Sequence, residues 1–99
     1  MPLRKKNALK RASFIKVDAQ TDVYDLSNKL LRGDPLVLNF EKQEVEAANQ
    51  VIVFLSGVTY AINGIVEMIQ EKIYVFATKA DLKDKSLRAF IDENKDDGS

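Results

Sequence analysis

The run FLSGVTYAING, residues 54–64, decides how the chain folds. It begins with the end of an apolar helical segment at Ser56 and Gly57, continues with a stretch rich in β-branched and aromatic residues, and ends in Asn-Gly. Glycine favours the left-handed conformation that ends helices, and Asn-Gly is the preferred dipeptide of two-residue hairpin turns. We therefore expect Gly57 to end a helix, residues 58–62 to form a strand, and Asn63-Gly64 to turn a hairpin.

The segment before Gly57, residues 41–56, has the strongest helical periodicity in the chain. At about 100° per residue, its apolar side chains cover roughly half of the circumference. They form two adjacent stripes, one of Val45, Ala48, Ile52 and Leu55, the other of Ala47, Val51 and Phe54. A helix that lies on one sheet needs a narrower apolar arc. The extra width of the apolar arc indicates either packing against a neighbouring helix in the core or a surface for a partner chain. The two interpretations are compatible if the neighbouring helix belongs to another protomer.

Shorter elements surround this helix. Residues 14–17 predict a strand, Asp22 precedes a helical pattern that ends near Gly33, and residues 36–40 are typical of a strand buried on both faces. Residues 65–69 and 72–77 predict two further strands, followed by a short C-terminal helix. The predicted order is β-α-β-α-β-β-β-α. This is an α/β (α+β) sandwich, with a small mixed sheet of four to five strands packed with two main helices.

The 99 residues have room for one domain. We expect a flexible basic arm over residues 1–13, a folded domain over residues 14–93 and a disordered polar tail over residues 94–99. The arm contains five cations and no acid: Arg4, Lys5, Lys6, Lys10 and Arg11. These cations suit contact with a membrane surface or another anion, or are simply solvated. No apolar stretch approaches the roughly 20 residues of a membrane span, and we expect a cytoplasmic protein.

Catalytic and metal-binding patterns are missing from the sequence. There is no cysteine and no histidine, which removes the commonest nucleophile–base pairs and metal ligands. Ser56 lacks the glycine two residues earlier that a nucleophile elbow requires. Neither a phosphate-binding glycine loop nor the ligand spacing of a calcium loop occurs. We expect no enzymatic activity, no cofactor, no metal and no small-molecule substrate.

Several segments of the chain resemble the SepF family of bacterial cell-division proteins, where a strand like VVVNL precedes a helix ending FLSG and a YAIGG turn. The matching segments here are LVLNF at 36–40, AANQVIVFLSG at 47–57, YAING at 60–64 and the strand at 73–77. The resemblance covers about residues 14–80. It implies a non-enzymatic adaptor that forms homodimers and higher polymers, binds the C-terminal peptide of the tubulin-like FtsZ and helps to tether the division ring. Family members carry an N-terminal amphipathic helix and a linker, and the short basic N-terminus here departs from that pattern.

The resemblance and the wide apolar arc together place the interaction residues on the predicted second helix and the last strand. Carried over by position, the FtsZ-peptide contacts are Ala48, Val51, Phe54, Leu55 and Tyr74, with core packing as the alternative for each. The dimer or polymer interface is assigned to Val45, Ala47, Gly57 and Tyr60. The alternative function is a small nucleic-acid-binding domain that uses the basic arm, against which the zero net charge of the chain counts.

Overall fold

The computed structural model describes residues 6–95, which form a four-stranded mixed sheet with helices on both faces. The strands are β1 Ser13–Lys16, β2 Leu36–Asn39, β3 Gly64–Gln70 and β4 Ile73–Thr78. The helices are α1 Ala8–Arg11, α2 Val23–Leu31, α3 Val45–Ala61, α4 Lys79–Leu82 and α5 Lys85–Asn94. The predicted sandwich, with its small mixed sheet and C-terminal helix, is confirmed.

The strands lie in the order β1-β2-β4-β3, so β1 and β3 form the two edges. β1 is parallel to β2, to which it is connected through α2, and the other two pairings are antiparallel. Leu36, Val37 and Leu38 of β2 are all buried, as expected for a central strand covered on both faces. The prediction of a doubly buried strand at this position is therefore confirmed.

Each face of the sheet has its own apolar core. On one face, α2 and α3 cover Leu36, Leu38 and Phe76 with side chains that include Leu26 and Leu55. On the other face, Val37, Val75 and Ala77 pack with residues of α1, α4 and α5 that include Leu87 and Ile91. The two main helices thus lie on one side of the sheet, and the shorter helices lie on the other.

Helix α2 begins and ends where the sequence predicts. The Asp22 carboxylate accepts hydrogen bonds from the backbone N–H groups of Tyr24 and Asp25, which caps the first turn. At the other end Gly33 adopts φ 90°. The N–H of Gly33 donates to Leu30 C=O, and the N–H of Asp34 donates to Lys29 C=O. This pair of bonds is the Schellman arrangement, for which glycine is preferred.

Helix α3 contradicts the prediction made from residues 54–64. It runs from Val45 to Ala61, so it begins later than residue 41, passes through Gly57 without ending, and includes most of the predicted strand 58–62. Thr59 is fully buried, and its hydroxyl donates to Leu55 C=O at 2.6 Å. Burial of this side chain against the sheet overrides the β propensity of the local sequence. The helix ends at Ala61, and Asn63, just after the C-cap, has φ 61°, which fits an asparagine that follows a helix terminus.

The hairpin predicted at Asn63-Gly64 does not form, whereas the two later predicted strands, 65–69 and 72–77, do pair as a hairpin. Gly64 is the first residue of β3, and the chain reverses at Glu71 and Lys72, the latter with φ 70°. The pairing of β3 with β4 shifts register between Met68 and Gln70. Only two strands follow α3 in the described chain, so the predicted third strand of the meander is wrong.

Part of the predicted basic arm is folded in the structure. Asn7 caps α1 by accepting from Lys10 N–H, and Ala8 is completely buried. The N–H of Ala8 donates to the Asp84 carboxylate at 3.2 Å, which fastens α1 to the start of α5. Residues 1–5 and 96–99, which contain Arg4, Lys5 and most of the predicted tail, lie outside the described residues.

Candidate functional site

Helix α3 presents one side to the core and the other to solvent. Ala48, Leu55 and Thr59 lie on the buried side. On the opposite side the side chains of Val53 and Tyr60 are 71% and 84% exposed. This exposed side carries more apolar surface than a helix packed on one sheet requires, as the sequence predicts.

A pocket of about 220 Å³ lies between the first half of α3 and the β3–β4 hairpin. It is lined by Phe40, Gln43, Val45, Ala48, Asn49, Ile52, Met68, Glu71, Lys72 and Tyr74. We call it the hairpin pocket. Cofactor and drug-sized sites usually have about 300–1,000 Å³. The hairpin pocket therefore suits a single side chain of a larger partner better than a whole small molecule.

The hairpin pocket has an aromatic wall with polar groups close by. The ring of Tyr74 packs edge-on against Phe40, with centroids 5.7 Å apart and planes at 83°. Val45 is 72% exposed and Met68 is 57% exposed, so apolar surface is open to solvent here. Glu71 and Lys72 carry opposite charges at the hairpin turn. The hairpin pocket therefore suits an apolar side chain of a partner in which the neighbouring groups are polar or charged.

Of the five residues predicted to contact the peptide, the structure brings Ala48 and Tyr74 together in the hairpin pocket. Phe54 lies about 120° around the helix from Ala48 and packs edge-on against Tyr24, at a centroid distance of 5.7 Å. Val51 packs against the core from a half-buried position. Leu55 is 0% exposed and lies inside the core, which is the alternative that the sequence left open for it.

The predicted self-association residues are all exposed, but they do not form one patch. Val45 belongs to the hairpin pocket, while Gly57 and Tyr60 follow Val53 along the solvent side of the helix. Apart from its chain neighbours and the backbone of its own helix, no atom of the described residues lies within 4 Å of the position that a Cβ of Gly57 would take. We call Val53, Gly57, Tyr60 and Ala61 the outer face of α3; Ala47 is exposed nearer the start of the helix.

The cations predicted for membrane or anion contact have different surroundings. Lys6 and Lys10 are exposed. Arg11 instead binds Asp81, lies 3.6 Å from the Asp34 carboxylate and donates to the backbone C=O of Gly33 at 2.7 Å. The hydrogen bond that Arg11 donates to the Asp81 carboxylate raises the pKa of Arg11, against the opposing effect of burial. Arg11 therefore links α1 to α4 and to the loop that follows α2, and so stabilises the folded domain.

Two further findings concern the described part of the chain. Among residues 6–95, no group of three or more acidic side chains is placed to hold a metal ion. None of the helices formed by these residues is long and apolar enough to cross a membrane.

Sequence reasoning missed Met68 and Lys72 as lining residues of the hairpin pocket. Both line it because the β3–β4 hairpin lies beside the first half of α3, and the predicted strands did not show which helix the hairpin would meet. The alternation of residues 65–69 followed by a polar pair was the available signal for the correct turn.

Comparison with known proteins gives a consistent result. The family model described as "Cell division protein SepF" matches residues 13–80. A curated cell division protein SepF from Carboxydothermus hydrogenoformans is 35% identical over 72 residues, which is 73% of this chain and 53% of that protein. The protein of the same name from Lactobacillus helveticus is 27% identical over 73 residues, 74% of this chain and 50% of its own length. The chain therefore spans about half the length of these curated relatives.

Proposed function

Because this chain belongs to the SepF family of cell-division proteins, we propose that it is a non-enzymatic adaptor at the division site. In this proposal it dimerises, binds the C-terminal peptide of FtsZ and helps to assemble or tether the division ring at the inner face of the membrane. The observation that carries the proposal is the hairpin pocket, in which Ala48 and Tyr74 lie together beside exposed apolar surface.

The peptide fits this site for reasons of size and chemistry. A short peptide can place one apolar side chain in the hairpin pocket and rest its neighbours against the exposed surface of Val45. Helix grooves of this kind bind short segments through a few anchoring side chains. We assign the anchor contact to Ala48 and Tyr74, with Met68 and Lys72 at the adjacent hairpin.

Dimerisation is assigned to the outer face of α3. Seventeen helical residues span about 25 Å, and the glycine at position 57 lets a second helix approach closely. The exposed Val53 and Tyr60 side chains would pack against their counterparts across a two-fold axis. This contact does not involve α1, α4 or α5, which cover the opposite face of the sheet.

Fluorescence anisotropy with a labelled FtsZ C-terminal peptide tests the peptide contact. Ala48→Leu fills the hairpin pocket and should weaken binding at least tenfold, whereas Phe54→Ala changes the Tyr24 side of α3 and should leave binding within about twofold. Circular dichroism checks that both variants fold. Absence of saturable binding by the unmodified chain up to roughly millimolar peptide refutes the peptide claim. A larger loss of peptide binding in Phe54→Ala than in Ala48→Leu refutes the assignment to the hairpin pocket.

A further inference from the structure

Exposed lysines gather at one end of the sheet, where β1 and β2 begin and β4 ends. Ser13 pairs with Leu36 and Leu36 pairs with Phe76, so the segments before β1 and after β4 lie at this same end. These segments contain α1, α4 and the start of α5. Their exposed lysines, which we call the basic end, are Lys6, Lys10, Lys79, Lys83 and Lys85.

Contacts between the helices bring the lysines of the basic end onto one surface. The N–H of Ala8 donates to the Asp84 carboxylate at 3.2 Å, which places α1 beside the start of α5. A pocket of about 270 Å³ joins α4 and α5 to β3, and it is lined by Ile65, Glu67, Lys79, Leu82, Lys83 and Arg88. Because α1 leads into the edge strand β1 and this pocket reaches the other edge strand, the basic end extends across the width of the sheet.

The positive charge of the basic end is not neutralised by ion pairs. Within residues 6–95, none of its lysines pairs with a carboxylate. The carboxylates nearby have other partners: Asp34 and Asp81 both pair with Arg11. Asp84 caps α5 and accepts the N–H of α1 described above. The basic end therefore presents an excess of positive charge to solvent.

The opposite end of the sheet, where the β3–β4 hairpin turns, carries the opposite charge. The loops at that end, residues 17–22, 40–44 and 71–72, contain five acids and two lysines. The hairpin pocket also lies there, because Glu71 and Lys72 line it. Although the net charge of the chain is zero, charge is thus separated along the strands. Such a separation orients a molecule in the field of a charged surface.

We propose that the basic end docks on an anionic lipid bilayer, with the hairpin pocket directed away from the bilayer. Near an anionic leaflet, each lysine strengthens binding roughly fivefold. The basic end also offers apolar surface, because Ile65 is 42% exposed in the pocket that it shares with Lys79 and Lys83. Apolar contact adds to electrostatic attraction when a protein binds at a membrane surface.

The type of cation favours lipid over nucleic acid as the partner. Lysine is a compact, hydrated point charge that suits a diffuse anionic surface, whereas the planar fork of arginine suits recognition of individual phosphates. The two arginines at this end, Arg11 and Arg32, both pair with Asp34. The cations left for a partner are therefore the lysines of the basic end.

This inference rests on the proposed function, in which the domain works at the membrane, and it adds which folded residues meet the lipid. Sequence analysis assigned membrane or anion contact to the N-terminal arm, which includes Lys6 and Lys10. Folding places Lys79, Lys83 and Lys85 beside them from the far end of the sequence. A bilayer at the basic end and a peptide in the hairpin pocket would contact opposite ends of the domain.

Vesicle sedimentation with two matched triple variants tests the proposal. One variant removes lysines of the basic end, and it combines Lys79→Gln, Lys83→Gln and Lys85→Gln. The control removes three exposed lysines elsewhere and has the same net charge, and it combines Lys42→Gln, Lys72→Gln and Lys95→Gln. On vesicles of phosphatidylglycerol and phosphatidylcholine in equal amounts, the first variant should bind roughly 100-fold more weakly than the parent chain, and the control should stay within about fivefold. Circular dichroism checks that both variants fold.

Three results of this experiment overturn the inference. The first is equal weakening in the two variants, because net charge then explains the effect without a docking surface. The second is equal binding of the parent chain to vesicles of phosphatidylcholine alone. The third is a parent chain that binds a short DNA duplex through these lysines and does not bind the anionic vesicles, because the surface then serves nucleic acid. A chain that binds the FtsZ peptide and not the vesicles would refute the lipid contact alone.

The orientation of the domain on the bilayer gives an independent readout. Bicelles of the same two lipids with a nitroxide on the headgroup broaden the amide signals of nearby residues in nuclear magnetic resonance spectra. We expect the signals of Lys83 and Lys85 to broaden severalfold more than those of Glu71 and Lys72 at the hairpin. Broadening that is equal at the two ends, or stronger at the hairpin, overturns the proposal.

Discussion

Replacing Gly64 with alanine should destabilise the fold by an amount that can be estimated from three distances. A Cβ at this position would lie 2.5 Å from the backbone oxygen of Ala77, 2.7 Å from Cγ2 of Thr59 and 2.9 Å from the backbone oxygen of Thr59. Favourable contacts need about 3.5 Å or more, so all three atoms must retreat. Two are backbone atoms, and the third belongs to a fully buried side chain that bonds to Leu55 C=O.

Because rigid atoms surround the new methyl group, we expect the upper end of the range for overpacking, about 3 kcal/mol. For a domain of this size, that lowers Tm by roughly 12–24 °C. Urea unfolding followed by circular dichroism at low micromolar concentration measures the loss. Gly57→Ala is the matched control, because its Cβ meets nothing within 4 Å inside a helix, and it should raise the free energy of unfolding by about 0.5–1 kcal/mol. A Gly64→Ala variant within 0.5 kcal/mol of the parent chain would refute the steric reasoning.

Three further predictions follow from the contacts of the domain. Arg11→Met removes charged hydrogen bonds and leaves the Asp81 carboxylate without its cation, so it should cost about 2 kcal/mol in urea unfolding, while Lys10→Met should change stability by less than about 0.5 kcal/mol. Lys72→Gly relieves a positive φ and should stabilise the hairpin by roughly 0.5–1 kcal/mol, whereas Glu71→Gly should not stabilise it. Hydrogen bonds from the Ser86 side chain and backbone lower the pKa of Asp84 below 3.8. The ionised Asp84 carboxylate therefore stabilises the fold above that pH, and this stabilisation is lost as the pH falls through the lowered pKa. In urea unfolding, the parent chain should be more stable than Asp84→Asn at pH 7, and the difference should shrink in the acid range. A difference in stability that does not change with pH would contradict this.

The parts of the fold that sequence analysis predicted correctly are those with a local physical signature. Asp22 and Gly33 mark the ends of α2 through side-chain capping and a left-handed conformation, which depend only on neighbouring residues. The end of α3 has no such signature. Thr59 favours strands by intrinsic propensity, and only its burial against the sheet keeps it helical.

The candidate site shows the same division between local and long-range information. The helical periodicity that contains Ala48 can be read from the sequence, and so can the strand that contains Tyr74. Their meeting in one pocket depends on where the hairpin turns, and Glu71-Lys72 is not among the favoured turn dipeptides. The sequence therefore predicts the two strands, but only the register of β3 and β4 shows which of their side chains face the pocket.

Helix α1 and the hairpin pocket lie on opposite sides of the sheet. Helix α1 packs with α5 on one side of the sheet, whereas α3 and the hairpin pocket lie on the other, and the molecule is about 20 Å across in its thinnest direction. Helix α1 therefore lies on the side of the domain that faces away from the proposed peptide site. A partner bound at α1 and a peptide bound in the hairpin pocket would be separated by the thickness of the domain, about 20 Å. In the proposed function, the two sides of the sheet can thus be contacted at the same time.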